Sequence, residues 1–203
     1  EYGLQADVDE SKLREALSDC LEESERVLSM LRIMMSVAEA EVGTMQLEKE
    51  VVESEDLIEN VLALYEYVAE EKKIQIEAQT EGDCTILVDK TRFGQVMANL
   101  LDNAIKYSYE NGLVKIRSFR QGDQVIIKIA DHGMGISENE IDRIWERLYR
   151  GDRSRSQKGL GLGLNYVKAV IESHGGEVKV ESVLKEGSVF TIRMPHFQRA
   201  LPR

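Results

Sequence analysis

The stretch KGLGLGLNYVKAV, Lys158 to Val170, sets Gly159, Gly161 and Gly163 at alternating positions ahead of an apolar-periodic run. Leu164, Val167, Val170 and Ile171 recur at helical spacing, so the glycines stand where a helix begins. Such a run is either a loose turn or a backbone cradle. Alternating glycines can turn successive N–H groups toward one point, and a helix N-terminus adds positive potential there, which would make an anion nest. The stretch is not a P-loop, because no Gly-Lys-Ser/Thr ends it. It is not the dinucleotide fingerprint either, because polar loop and not strand precedes it. The remainder of the chain must decide.

The 203 residues suffice for one large domain, or a domain with an appendage. Lys and Arg number 26 against 37 Asp and Glu, a formal charge of −11, which argues against a nucleic-acid binder. No apolar run approaches the ~20 residues of a membrane span, and nothing resembles a signal peptide. The expected location is cytoplasmic, with a membrane anchor upstream in the full-length protein left open. Cys20 and Cys84 lack metal or redox spacing and read as buried apolar residues in a reducing compartment.

Working outward, residues 9–42 lack Pro and Gly. They carry Leu13, Leu17, Leu21, Leu28, Leu31 and Met35 on a broad helical stripe. This is a long amphipathic helix of bundle type, which needs a partner helix to bury that stripe. Gly43 ends it. A second helical stripe runs through Leu57, Ile58, Val61, Leu62 and Tyr65, with Ser54-Glu55-Asp56 as an acidic start. KIQIEAQ and CTILVD alternate as strands, and residues 90–108 form a third helix. LVKIRSFR and QVIIKIAD are strands joined by a tight hairpin at Gln121-Gly122-Asp123. EIDRIWERLY is predicted as a short helix, and EVKVESV and SVFTIRMP follow the last helix as strands. The fold class expected is α+β: a sandwich of a mixed sheet packed on helices, preceded by the long bundle-type helix.

On the third helix, Phe93, Met97, Leu100, Leu101, Ala104 and Ile105 make the apolar face. Asn99, Asn103 and Lys106 share a neighbouring stripe. A solvated face would suit Lys106, but two Asn one turn apart are mediocre helix formers. Pattern alone leaves the stripe undecided. In IADHGMGIS a strand ends at Asp131, with Gly133 and Gly135 next. That is either a βα turn with a capping Asp or a buried carboxylate that accepts from a ligand amine beside a closely approached backbone.

Taken in order, NLLDNAIKYS, DHGMGI, IWERLYR and GLGLGL resemble the N, first glycine, F and second glycine boxes of sensor histidine kinases. These belong to the Bergerat-type ATP-binding fold, shared with DNA gyrase, the ninety-kilodalton heat-shock chaperones and MutL-like repair proteins. The resemblance covers roughly residues 50–196. It implies a partial dimerisation hairpin in residues 1–45, an ATP-binding catalytic domain in 46–197 and a tail in 198–203.

It also implies a site. Asn103 would bind Mg2+ through its amide oxygen, phosphates and waters completing the shell. Asn99 would lie near the phosphates or the metal, Lys106 would neutralise phosphate, and Tyr107 would pack near adenine or ribose. Asp131 would accept from the adenine amino group, with Gly133 and Gly135 giving the ring room. Gly159, Leu160, Gly161, Leu162 and Gly163 would cradle phosphate on a closing lid, with Arg150, Arg153 and Lys158 as lid contacts. ATP-hydrolysing relatives carry a Glu base four residues before the Mg-binding Asn. Here that position is Asn99, and an amide cannot take a proton from water.

The family phosphorylates a His in an H-E/D-x-R-x-P-like box. His132, His174 and His196 are the sequence's three histidines, and none lies in such a box. The expected function is therefore transfer of the γ-phosphate of Mg-ATP to a His on a partner segment, with no self-labelling by these residues alone. The implied partners are a response regulator and a second copy, as a homodimer through the helix bundle. The alternative is a nucleotide-gated regulatory binding protein without phosphoryl transfer.

Overall fold

The computed structural model describes residues 10–151 and 161–198. Helix α1, Glu10–Val42, is followed by strand β1, Lys49–Glu53, and helix α2, Ser54–Glu71. Then come β2, Gln75–Glu81; β3, Thr85–Asp89; α3, Lys90–Tyr107; β4, Leu113–Gln121; and β5, Gln124–Asp131. A 3-10 turn, Arg143–Trp145, precedes α4, Gly163–Ser173, β6, Glu177–Val183, and β7, Gly187–Pro195.

Five strands form a mixed sheet in the order β2-β4-β5-β7-β6. Only β2 and β4 run parallel; the other neighbours are antiparallel. The two-residue turn Gly122-Asp123 joins β4 to β5, with Gln121 opposite Gln124 and Gly122 at φ 62°. Val125, Ile127 and Ile129 of β5 and Phe190, Ile192 and Met194 of β7 point to one face and join the core. There they meet Phe93, Val96, Met97, Leu100 and Leu101 of α3 and Val167, Val170 and Ile171 of α4. Each such fully buried aliphatic side chain contributes about 1.5–3 kcal/mol of transfer free energy. The α+β sandwich is thus present, with a mixed sheet on one side and helices on the other.

Two segments depart from the sequence reading. KEVVE is strand β1, and it pairs antiparallel with β3, Lys49 opposite Asp89, in a separate two-stranded sheet. β2 and β3 therefore belong to different sheets. EIDRIWERLY forms turns and one 3-10 turn, not a helix.

The last turns of α1 pack on α4 and bury Val37 to 1 % exposure. The rest of its apolar stripe lies open, with Leu21 65 % exposed. Cys20 lies on that open stretch and is exposed, against expectation; Cys84 is buried as expected. Among the described residues, no helix is long and apolar enough to cross a membrane.

Candidate functional site

A cleft of about 500 Å3 opens between α3, the end of β5, the segment after it and the start of α4. Its walls follow from helix geometry. The N-cap Asp89 accepts from the Arg92 N–H at 3.0 Å and fixes where α3 begins. Burial of Met97, Leu100, Leu101 and Ala104 against the sheet then sets the rotation of the helix. At ~100° per residue, Asn99, Asn103 and Lys106 face the cleft. Lys72, which follows α2, caps the other end of α3, its ammonium donating to Ile105 O at 2.8 Å.

Asp131 closes β5, opposite Ser188 of β7, and its carboxylate accepts the Ser188 N–H. It is 8 % exposed, and its Oδ1 is buried without a partner among the described residues. Burial pushes its pKa up to about 6, although the Ser188 hydrogen bond and His132 pull the other way. A buried strand-end acceptor with an open lone pair suits an exocyclic amine, because that amine would satisfy it.

Asn99 also carries a buried, unpartnered atom, its Nδ2. Gly163, the first residue of α4, packs on it: a Cβ there would lie 3.1 Å from Asn99 Oδ1. The glycine thus brings the α4 N-terminus onto the Asn stripe. The first-turn N–H groups of a helix have no intrahelical acceptor, so this end of the cleft is suited to an anion. Lys106 stands beside it, its ammonium 5.1 Å from the Tyr107 ring centroid. Burial lowers the Lys106 pKa; Asp102 opposes that, while Arg150 and Lys72 add to it. Cations gathered this closely are relieved by a phosphate.

The residues expected from sequence divide as follows. Asn99, Asn103, Lys106, Tyr107, Asp131, Gly135, Arg150, Gly161, Leu162 and Gly163 all line the cleft. Gly133 does not line it, and has a different task. A Cβ there would sit 2.1 Å from Tyr107 O, which instead accepts the Met134 N–H at 3.1 Å. Gly133 therefore lets the DHGMGI segment pack against the end of α3. Gly161 has φ 69°, and a Cβ would lie 2.6 Å from Tyr149 O. Arg153, Lys158, Gly159 and Leu160 lie outside the described residues.

Other cleft residues were not foreseen. Glu140 is bound by Ser137 Oγ and by Tyr149 OH, the latter at 3.2 Å, and the Arg143 guanidinium lies 4.4 Å from the Tyr149 ring centroid. This cluster holds the chain where it enters the 152–160 segment. The spacing Ser137-x-x-Glu140 is a capping-box signal that could have revealed it. Glu22, Arg26 and Ile33 of α1 also border the cleft.

The nucleotide and metal expected from the resemblance can be tested against these groups. The unpartnered Asp131 Oδ1, the unpartnered Asn99 Nδ2 and the α4 N-terminus form a polar set along one cleft, and fit an adenine nucleotide. Among the described residues, no cluster of three His, Cys, Asp or Glu could hold a metal by itself. The Asn103 amide oxygen fits Mg2+, a hard cation that keeps waters and takes phosphate oxygens.

None of the three histidines lines the cleft. The Nε2 of His174 accepts from Asp89 N and its Nδ1 donates to Val170 O, both buried. His196 Nε2 lies 3.0 Å from Asp83 Oδ2, and His132 Nδ1 lies 3.1 Å from Leu113 O.

Comparison with known proteins agrees with this geometry. The family described as histidine kinase-, DNA gyrase B-, and HSP90-like ATPase matches residues 88–198. The signal transduction histidine-protein kinase ArlS of Staphylococcus aureus is 31% identical over 186 residues, 91% of this chain and 41% of that protein. The chain therefore spans less than half the length of that relative. Full-length ShkA in complex with AMPPNP matches with TM-score 0.82 at 28% identity, over 95% of this chain and 40% of that one. The Acinetobacter baumannii histidine kinase AdeS matches with TM-score 0.73 at 26% identity, over 95% and 87% of the two chains. The chain belongs to the histidine kinase-, DNA gyrase B- and HSP90-like ATPase family, as the catalytic ATP-binding domain of a sensor histidine kinase.

Proposed function

We propose that this chain binds Mg-ATP and transfers the γ-phosphate to a histidine on a partner segment. The observation that carries this reading is Asn99, four residues before the proposed metal-binding Asn103. It puts an amide where water-activating relatives carry a Glu, and that amide faces the phosphate end of the cleft. An imidazole nitrogen needs no such base. It attacks the γ-phosphorus with its own lone pair, the bond to the β–γ bridging oxygen breaks, ADP leaves, and the imidazole proton passes to solvent.

The chain's contribution is position and charge. Asp131 accepts from the adenine amine and favours adenine over guanine. Lys106, Arg150 and the α4 N-terminus hold the phosphates. Asn103 would hold Mg2+, which when bound offsets charge on the phosphate oxygens. Residues 46–197 form the nucleotide-binding unit, residues 1–45 contribute one helix of a hairpin that dimerises with a second copy, and 198–203 form a tail. A response regulator takes the phosphoryl group onward to an Asp, and the reaction takes place in the cytoplasm, where ATP is supplied.

The test is direct. The chain is incubated with γ-labelled Mg-ATP, alone and with a separate helical segment bearing an H-E/D-x-R-x-P-like box. Acid-labile label on the segment's His and none on this chain is the expected result. Nucleotide binding with no label on the segment favours the nucleotide-gated binding module instead.

A further inference from the structure

We propose that Arg92 is a positioning residue that ties α1 to the two helices framing the nucleotide cleft. Its three guanidinium nitrogens go to three different partners. Nη1 donates to Ser36 Oγ at 3.1 Å, and Nη2 lies 3.7 Å from Glu39 Oε2; both partners are on α1. Nε lies 3.8 Å from Asp89 Oδ2, on the residue that caps α3. The phenol of the buried Tyr166 of α4 lies beside the same guanidinium, close enough to feel its charge. One side chain, 24% exposed, thus touches α1, α3 and α4.

The placement connects this junction to the cleft. Asn99 stands seven residues further along α3, about two turns, and it packs on Gly163 at the start of α4. Ile33 and Arg26, on the same helix as Ser36 and Glu39, border the cleft itself. A shift of α1 at Ser36 and Glu39 therefore moves one wall of the cleft relative to the others, unless Arg92 keeps the three helices together. A planar guanidinium spreads three nitrogens in fixed directions and reaches partners on three sides; an ammonium concentrates its donors at one point and does not span them in the same way. The surrounding contacts are Val37, buried beside the junction, and the Arg147–Glu41 ion pair one turn further along α1.

Hydrogen exchange on the 203-residue chain tests this without any activity. Arg92→Gln should raise exchange at residues 32–42 tenfold or more and leave residues 97–105 protected. Its ATP dissociation constant should stay within twofold of the parent's. Arg92→Lys should resemble Arg92→Gln. Glu39→Gln should raise exchange less, and the double variant should match Arg92→Gln alone, as expected of residues in one network. Unchanged exchange in α1 would overturn the assignment. So would equal loss of protection in α3, which would mark a residue of fold stability only, or multiplicative effects in the double variant.

A last arm rests on the kinase reading: with an acceptor segment supplied, Arg92→Gln should lower the transfer rate at unchanged KM for ATP. A parent chain that binds ATP and shows the exchange pattern but never transfers would refute the kinase reading and leave the Arg92 assignment standing.

Discussion

His174 Nε2 accepts the backbone N–H of Asp89 at 2.9 Å, joining the end of α4 to the start of α3. The proton therefore sits on Nδ1, which donates to Val170 O at 2.7 Å. Burial lowers the pKa of this imidazole, so the folded state favours its neutral form. The unfolded chain binds the proton more readily. The stability this residue contributes is thus full above its unfolded pKa of about 6.5 and is lost as pH falls through the lower folded value. Thermal unfolding of the parent and of His174→Gln, compared at pH 7.5 and 5.5, should show a steeper acid loss in the parent. His174→Ala should cost about 2–3 kcal/mol at neutral pH, by orphaning the Asp89 N–H and leaving a void beside Phe93.

Asp131 titrates with the opposite sign. Its folded pKa is about 6, above the usual carboxylate value, so its contribution is full below about 4 and is lost as pH rises through 6. At pH 8 the unliganded fold carries an ionised, buried and half-satisfied carboxylate. Asp131→Asn should therefore raise unliganded stability by about 1–3 kcal/mol at pH 8 and by almost nothing at pH 4. Chemical denaturation at the two pH values measures the difference.

Asn103 is predicted to act only through the metal. Asn103→Ala should lower ATP affinity about tenfold in Mg2+ and leave the metal-free affinity unchanged. Fluorescent-nucleotide titrations with and without Mg2+ separate the two. Equal losses in both conditions would place Asn103 on the nucleotide itself.

Two glycines should respond in opposite directions to a methyl group. Gly94 lies inside α3, and a Cβ there meets nothing within 4 Å. Gly94→Ala should stabilise the fold by about 0.5–1 kcal/mol. Gly161 has a positive φ, and its Cβ would meet Tyr149 O at 2.6 Å, so Gly161→Ala should displace the backbone at Leu148 and Tyr149 and weaken ATP binding. Melting curves and nucleotide titrations of the two variants check both outcomes.

What the sequence disclosed depended on how local each signal was. α3 and α4 were legible because their periodicity and box residues lie within single segments. Strand β1 was not, because KEVVE runs directly into Ser54 and becomes a strand only by pairing with β3, more than 30 residues on. Gly133 was expected to make room for a ligand, yet the closest constraint on it is the Tyr107 carbonyl, a contact across two elements. Glu22, Arg26 and Ile33 carried no signal at all, since their place at the cleft depends on how α1 lies against α4. Cys20 was expected to be buried but lies on the uncovered length of α1.

On the proposed function, Asp131 and the Asn stripe of α3 form an adenine-nucleotide site. Calorimetric titration of the chain with ATP, with and without Mg2+, beside Asp131→Asn, tests it most directly. Binding should be strengthened by Mg2+, weakened at least tenfold in Asp131→Asn, and weakened in the parent as pH falls below about 6. Folded protein that binds neither ATP nor ADP, or an Asp131→Asn variant that binds as well as the parent, would contradict it.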